Sequence, residues 1–201
     1  MKKANQIKPE GLPQAWREDI SNAINILNQG GVILYPTDTI WGLGCDASND
    51  KAVERIFKIK KRIDSKAMIS LVDSPAKVQG LVKNMPDVAW DLIEVTTRPL
   101  TIIYDEVNFI SPLLQAEDGS AAIRVTEEAF SRELCMRFRR PIVSTSANIS
   151  GNNSPQCFAD IDKEICDAVD YICTSRREED NPAASSIIKL KSNGEIIIIR
   201  E

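Results

Sequence analysis

Pro141-Ile142-Val143-Ser144-Thr145-Ser146-Ala147-Asn148-Ile149-Ser150-Gly151 is the stretch on which the fold turns. Residues 141–143 form a short apolar run with the character of a buried strand. The next eight residues are small or polar except for Ile149, so they read as a polar loop at a strand's carboxyl end. In open α/β sheets that is where ligands bind. Hydroxyls, one amide and unpaired backbone N–H groups suit a phosphate or carboxylate better than an apolar ligand. An ordinary Ser/Asn/Gly turn is the competing reading. What favours a site is the segment Lys60-Lys61-Arg62, which supplies matching positive charge.

Outward from this loop the chain alternates helices and strands. Ala15, Trp16, Ile20, Ala23, Ile24 and Leu27 recur at helical spacing over 14–29, and Gly30-Gly31 ends the pattern. Residues 32–35 read as a strand that enters the polar turn Pro36-Thr37-Asp38-Thr39 and then Ile40-Trp41-Gly42-Leu43-Gly44. Asn49 or Asp50 caps a helix with Val53, Ile56, Phe57 and Ile59 on its apolar side. The remaining expectations are strands at 68–72, 100–104, 121–125, 171–173, 186–190 and 195–200, and helices at 74–82, 87–95, 127–138 and 158–169. Residues 108–120 read as an exposed connection, 175–184 as charged and irregular, and Ser192-Asn193-Gly194 as a hairpin turn. This order implies an α/β domain with a twisted mixed sheet. One domain is expected over 1–201, with 1–13 as an N-terminal extension.

Composition narrows the chemistry. The 201 residues are 43% hydrophobic, carry a formal charge of −4 and include no histidine. A net acidic chain argues against nucleic-acid binding through bulk charge. Lack of histidine excludes Ser-His and Cys-His nucleophile pairs, histidine bases and histidine metal ligands. Five scattered cysteines with no C-x-x-C pair suggest neither a disulfide framework nor a zinc site. With no apolar h-region near Met1 and no run long enough for a bilayer span, a soluble cytoplasmic protein is expected.

Three local patterns carry chemistry. Residues 51–66 hold seven basic side chains against Glu54 and Asp64. Lys51, Arg55 and Lys58 fit a solvated helix face, whereas Lys60, Arg62 and Lys66 lie at the helix end and beyond, placed to converge on one anion. The turn at 36–39 places two hydroxyls and a carboxylate after a buried strand, as an amino-acid site requires. Arg124 is a lone charge in Ala121-Ala122-Ile123-Arg124-Val125, so it snorkels, pairs internally, binds a carboxylate or points to water. Neither a P-loop nor a G-x-G-x-x-G fingerprint is present.

Together, Tyr35-Pro36-Thr37-Asp38-Thr39-Ile40-Trp41-Gly42-Leu43-Gly44, Lys60-x-Arg62 with Lys66, Ile123-Arg124-Val125, the segment 144–151 and Ser185-Ser186-Ile187-Ile188 resemble the YrdC-like threonylcarbamoyl-AMP synthases over about residues 20–200. The resemblance implies a twisted open sheet with helices around a large concave cavity. It further implies synthesis of threonylcarbamoyl-AMP and pyrophosphate from L-threonine, bicarbonate or CO2 and ATP with Mg2+, for a partner tRNA-modifying threonylcarbamoyl transferase complex. By resemblance, Lys60 and Arg62 are catalytic. Lys60, Arg62, Lys66, Ser146 and Asn148 hold ATP, with Ser120, Ser154 and Arg200 as further nucleotide contacts. Thr37, Thr39, Arg124, Ser144 and Ser185 surround threonine, and no resident metal site is implied. Within the turn at 36–39, Asp38 is a candidate for orienting the threonine ammonium or a metal-bound water.

Several positions depart from the family pattern. Ile63 and Ala67 stand where prolines are common, Thr97-Arg98-Pro99 replaces Pro-Gly-Pro, Arg139-Arg140 replaces a glycine before Pro141, and Ala184 precedes Ser185-Ser186. The sequence stops near Arg200, so the additional C-terminal domain of longer members is not expected. Two alternatives are a carbamoyl-adenylate enzyme like the YrdC-like domain of hydrogenase-maturation carbamoyltransferases, and a non-catalytic module binding double-stranded RNA or tRNA. The former carry zinc-finger and acylphosphatase-like regions that this sequence lacks.

Overall fold

The computed structural model describes residues 11–61, 68–179 and 184–201. Its first helix, α1 (Gln14–Asn28), buries Ile20, Ala23 and Leu27 along one stripe. It stops where Gly30 takes φ +76°, a conformation that glycine enters without a Cβ clash. The next elements are β1 (Ile33–Tyr35), β2 (Gly42–Gly44), α2 (Asp50–Ile59), β3 (Ile69–Val72), α3 (Pro75–Leu81), α4 (Val88–Val95) and β4 (Leu100–Tyr104). After them come β5 (Ala121–Val125), α5 (Ala129–Phe138), β6 (Ile142–Ser146), α6 (Lys163–Ala168), β7 (Tyr171–Ile172), β8 (Ser186–Leu190) and β9 (Ile196–Arg200). Asn49 caps α2 by accepting from Ala52 N–H, as its position predicts.

Nine strands form one mixed sheet in the order β7-β1-β2-β6-β3-β5-β4-β8-β9. β6 is its pivot, antiparallel to β2 on one side and to β3 on the other. The pairs β1–β7, β3–β5 and β4–β8 are parallel, while β1–β2, β4–β5 and β8–β9 are antiparallel. This is the expected α/β class with a mixed sheet. Among the described residues no helix is long and apolar enough to cross a membrane.

Strand periodicity builds the hollow. Side chains alternate faces along a strand. Thr101 and Ile103 of β4, Ala122 and Arg124 of β5, and Ser144 and Ser146 of β6 therefore line one concavity. Their neighbours Ile102, Ile123 and Val143 are buried in the core.

Four expectations are corrected. β6 runs on through Ser144, Thr145 and Ser146, so the first three of the eight residues expected as loop are strand. Those polar residues are tolerated there because the backbone pairs on both sides and the serines face a hollow rather than packed apolar groups. Residues 158–169 do not form one helix. A 3-10 turn, Phe158–Asp160, ends at Ile161, and α6 starts two residues later. The Asp160 carboxylate accepts from Gln156 and Cys157 N–H, which closes the turn locally instead of continuing a helix. The connection 108–120 is not exposed throughout, since Ile110, Ser111 and Leu114 are buried and Pro112–Leu114 forms a 3-10 turn. Finally, α5 begins after Glu128, whose carboxylate caps Phe130 and Ser131 N–H.

Arg139 explains a departure from the family pattern. It closes α5 at φ +66°, the left-handed conformation that favours glycine. Arg140 beside it reaches Asp46 at 3.2 Å and Asn28 at 2.7 Å, and lies 4.3 Å over the Phe138 ring.

Gly44 is needed for a different reason, namely close approach. A Cβ there would stand 2.6 Å from Tyr35 Cε1 and 3.0 Å from the Val143 carbonyl oxygen. Tyr35 is wholly buried and its hydroxyl donates to that same carbonyl at 3.3 Å, so it has little room to withdraw. Gly44→Ala is expected to lower stability by about 1–3 kcal/mol through overpacking, read as a shift in the urea midpoint. An unchanged midpoint would show that Tyr35 repacks freely.

Candidate functional site

The concavity has a volume of about 450 Å3, within the range of small-molecule sites. Its polar lining includes Thr39, Ser120, Arg124, Ser144, Ser146, Ser154, Ser185 and Arg200, which are eight of the expected site residues, together with Thr101 and Thr145. They arrive from the turn after β1, from β5, β6 and β9, and from the segments before β5, after β6 and before β8. Ile69, Ile103, Leu114 and Ile187 give it an apolar side.

Thr37 stands one step behind this wall. Its hydroxyl donates to the Ile40 carbonyl at 2.8 Å, accepts from Thr39 N–H at 3.0 Å and lies 3.1 Å from the Thr39 hydroxyl. Thr37 thus fixes the turn that presents Thr39. On the opposite side, the Ser185 and Thr101 hydroxyls are 2.9 Å apart, and Arg200 donates twice to the Ser185 carbonyl at 3.0 and 2.7 Å.

Lys60 follows the last turn of α2 and is only 2% exposed. Its ammonium donates to the carbonyl oxygens of Ser146 at 2.5 Å and Asn148 at 2.8 Å. The Lys60 carbonyl in turn accepts from Ser150 N–H at 2.9 Å. The end of α2 and the loop after β6 are therefore pinned together through Lys60. Asn148 donates its amide to the carbonyls of Ile149 and Asn152, leaving a buried Oδ1 without a hydrogen-bond partner. Arg62 and Lys66, expected beside Lys60, lie outside the described residues, as do the departures at Ile63 and Ala67.

Arg124 resolves to internal pairing at the cavity wall. It is 3% exposed, and Nη2 lies 2.8 Å from Asp38 Oδ1 and 3.4 Å from the Thr39 hydroxyl. The 2.8 Å contact is an ion pair without hydrogen-bond alignment, because Asp38 Oδ1 accepts no hydrogen bond. Arg124 Nε is also buried without an acceptor. Burial pushes the Asp38 carboxyl above its usual range, against the lowering influence of Arg124.

Three other basic side chains of the segment pair with carboxylates within the fold. Arg55 meets Asp170 at 2.5 Å, Lys58 meets Glu54 at 3.2 Å and Lys61 meets Glu164 at 2.7 Å. An RNA-binding face would draw on these side chains, and each is already matched by a carboxylate.

Residue-by-residue reading missed two groups beneath the turn at 36–39. Arg176, from the irregular segment, donates to the Thr37 carbonyl at 3.2 Å and pairs with Glu128 at 3.1 Å and Glu179 at 2.8 Å. It takes φ +62°, which nothing in a run of charged residues announces. Glu128 falls inside the helix expected over 127–138, whereas it joins the α5 cap to Arg176.

Comparison with known proteins fits this geometry. The Sua5/YciO/YrdC family model, described as "Telomere recombination", matches residues 25–201. The threonylcarbamoyl-AMP synthase of Pseudoalteromonas translucida is 34% identical over 155 residues, covering 76% of this chain and 83% of that protein. Among solved structures, P. abyssi Sua5 complexed with L-threonine superposes with a TM-score of 0.78 at 25% identity, covering 89% of this chain. The chain spans 52% of that longer protein. E. coli YciO superposes with a TM-score of 0.80 at 25% identity, covering 95% of this chain and 91% of that one.

Proposed function

Because the chain belongs to the Sua5/YciO/YrdC family, we propose that it is a threonylcarbamoyl-AMP synthase, joining L-threonine, bicarbonate-derived CO2 and ATP into threonylcarbamoyl-AMP with release of pyrophosphate. The observation that carries the reading is Arg124: a buried guanidinium at the wall of a hydroxyl-lined hollow, with Nε lacking an acceptor. A threonine carboxylate is the complementary group. Thr39, Ser144 and Ser185 surround that position with hydroxyls suited to the amino acid's polar atoms.

The nucleotide belongs on the side of Ser146, Asn148 and Lys60, with Ser120, Ser154 and Arg200 along the nucleotide's path and Arg62 and Lys66 joining from the following segment. Threonine's amine adds to CO2, and the carbamate oxygen then attacks the α-phosphorus of ATP as pyrophosphate leaves. Negative charge gathers on phosphate oxygens, and fixed cations stabilise it. Holding two anions in line supplies up to about 7–11 kcal/mol in favourable cases. No covalent enzyme intermediate is needed, which suits a chain without histidine. Mg2+ enters with ATP, and the serine hydroxyls of the wall are hard oxygen donors compatible with an ion held mainly by phosphates and water. The product would pass to a tRNA-modifying threonylcarbamoyl transferase complex in the cytoplasm.

Incubation of the protein with ATP, Mg2+, bicarbonate and each amino acid in turn, followed by mass spectrometry, tests this directly. Threonylcarbamoyl-AMP is expected, with threonine as the preferred amino acid. Salt-sensitive RNA binding without any nucleotide turnover would replace the enzyme reading with the binding-module one.

A further inference from the structure

We propose that Asp38 is the base that takes the proton from the substrate ammonium, so that a neutral amine can attack CO2. The proposal rests on the synthase reading above and deepens it. An ammonium has no lone pair, so one proton must leave before the N–C bond can form. The described side chains around the hollow contain few acceptors for it. The wall hydroxyls of Thr39, Ser144 and Ser185 are weak bases. Lys60 is engaged with the Ser146 and Asn148 carbonyls. Glu128 is occupied by Phe130 N–H, the Ser131 hydroxyl and Arg176.

Asp38 differs from these groups on three counts. Its Oδ1 is buried and accepts no hydrogen bond, so beside its ion pair with Arg124 it keeps an unsatisfied acceptor. It lies 2.8 Å from Nη2 of Arg124, the guanidinium assigned to the threonine carboxylate. In an α-amino acid the ammonium is two bonds from the carboxylate carbon, so a substrate held on Arg124 brings its nitrogen to the neighbourhood of Asp38. The charged groups facing Asp38 are Arg124 from β5, Glu128 at the start of α5 and Arg176 from the segment after β7. Burial, the largest influence on its carboxyl, makes it more basic than an exposed aspartate.

The step balances. An N–H bond of the ammonium breaks and its proton goes to Asp38, which becomes a neutral carboxylic acid. Bicarbonate supplies CO2 and hydroxide, and the amine lone pair forms the N–C bond while a C=O π pair moves onto oxygen. The second N–H proton combines with the hydroxide as water. Zwitterionic threonine, Asp38 carboxylate and bicarbonate thus give threonine carbamate, neutral Asp38 and one water, with a net charge of −2 on each side. Asp38 returns its proton to solvent after the product leaves.

The test compares Asp38→Asn with the unaltered protein in both directions of the reaction. At neutral pH, threonine-dependent pyrophosphate release by D38N should fall by roughly 10²–10⁴-fold, the usual contribution of a positioned base. The deficit should narrow as pH rises, because solution then delivers threonine with its amine already neutral. ATP formation from threonylcarbamoyl-AMP and pyrophosphate starts after the deprotonation and should lose far less. Equal loss in the two directions, or a forward deficit that stays constant with pH, would reduce Asp38 to a structural counterion of Arg124 and overturn the proposal. If the unaltered protein itself makes no threonylcarbamoyl-AMP, the synthase reading fails instead.

Discussion

Lys60→Met is expected to abolish threonine-dependent pyrophosphate release and to weaken the fold, and the two effects share one origin. Methionine keeps most of the apolar stem and removes the ammonium. The Ser146 and Asn148 carbonyls, which accept from Lys60 at 2.5 and 2.8 Å, then lose a charged donor in a place that water hardly reaches. Leaving two buried acceptors unpaired costs about 1–3 kcal/mol each. A drop of about 2–4 kcal/mol in unfolding free energy is therefore expected, since part of the loop can turn its carbonyls outward. Urea unfolding measures it.

Activity suffers more than stability because the same ammonium sets the backbone beside the phosphate position. With the Ser146 and Asn148 carbonyls drawn to Lys60, the side chains of Ser146 and Asn148 keep fixed places at the rim. Removing one preorganised electrostatic contact costs about 10²–10³-fold in turnover, and loss of the loop's placement adds to that. Lys60→Arg separates charge from geometry, because a planar fork cannot occupy the seat of a compact ammonium. Its activity should remain low although the charge is kept. Normal pyrophosphate release by Lys60→Met would leave Lys60 as a structural clamp only.

Sequence reading reached as far as local interactions carry a fold. Helix ends, strand positions and the order of motifs were legible because each depends on residues close in the chain. The apolar spacing of α1, the Asn49 cap and the hairpin at 192–194 are of this kind. The extent of β6 was not, since Ser144, Thr145 and Ser146 have turn-like chemistry. Only pairing with β2 and β3, from far earlier in the chain, makes them a strand. Residues 158–169 misled in the opposite way, as their apolar spacing fits a helix while Asp160 folds back on Gln156 and Cys157.

The same rule separates the parts of the site. Serines and threonines could be nominated from their motifs, but their partners are long-range: Thr101 with Ser185, Lys60 with Ser146 and Asn148, Arg176 with Thr37. Alternation in β5 places Arg124 on the same face as Ala122. It says nothing of an aspartate 86 positions earlier, so snorkelling, solvent exposure and internal pairing could not be told apart until the sheet was assembled.

Arg124→Ala should raise the threonine requirement by roughly 30- to 1,000-fold, corresponding to about 2–4 kcal/mol for truncating a buried charged partner of a ligand. The ATP requirement should change little, because the nucleotide contacts assigned to Lys60, Ser146 and Asn148 do not include Arg124. The single variant carries a second effect that must be separated. Arg124 is the nearest counterion of Asp38, and removing one member of a buried ion pair destabilises a fold by about 3–5 kcal/mol. The desolvated Asp38 carboxyl would then be pushed further up and would bind a proton rather than remain charged. Pairing Arg124→Ala with Asp38→Asn removes that burden, so the double variant should regain much of the lost thermal stability while its threonine affinity stays poor. Calorimetric titration with threonine and thermal unfolding, run on both variants, resolve the two contributions. Recovery of threonine affinity along with stability in the double variant would mean that Arg124 serves the fold alone, and the carboxylate of the substrate would have to be held elsewhere.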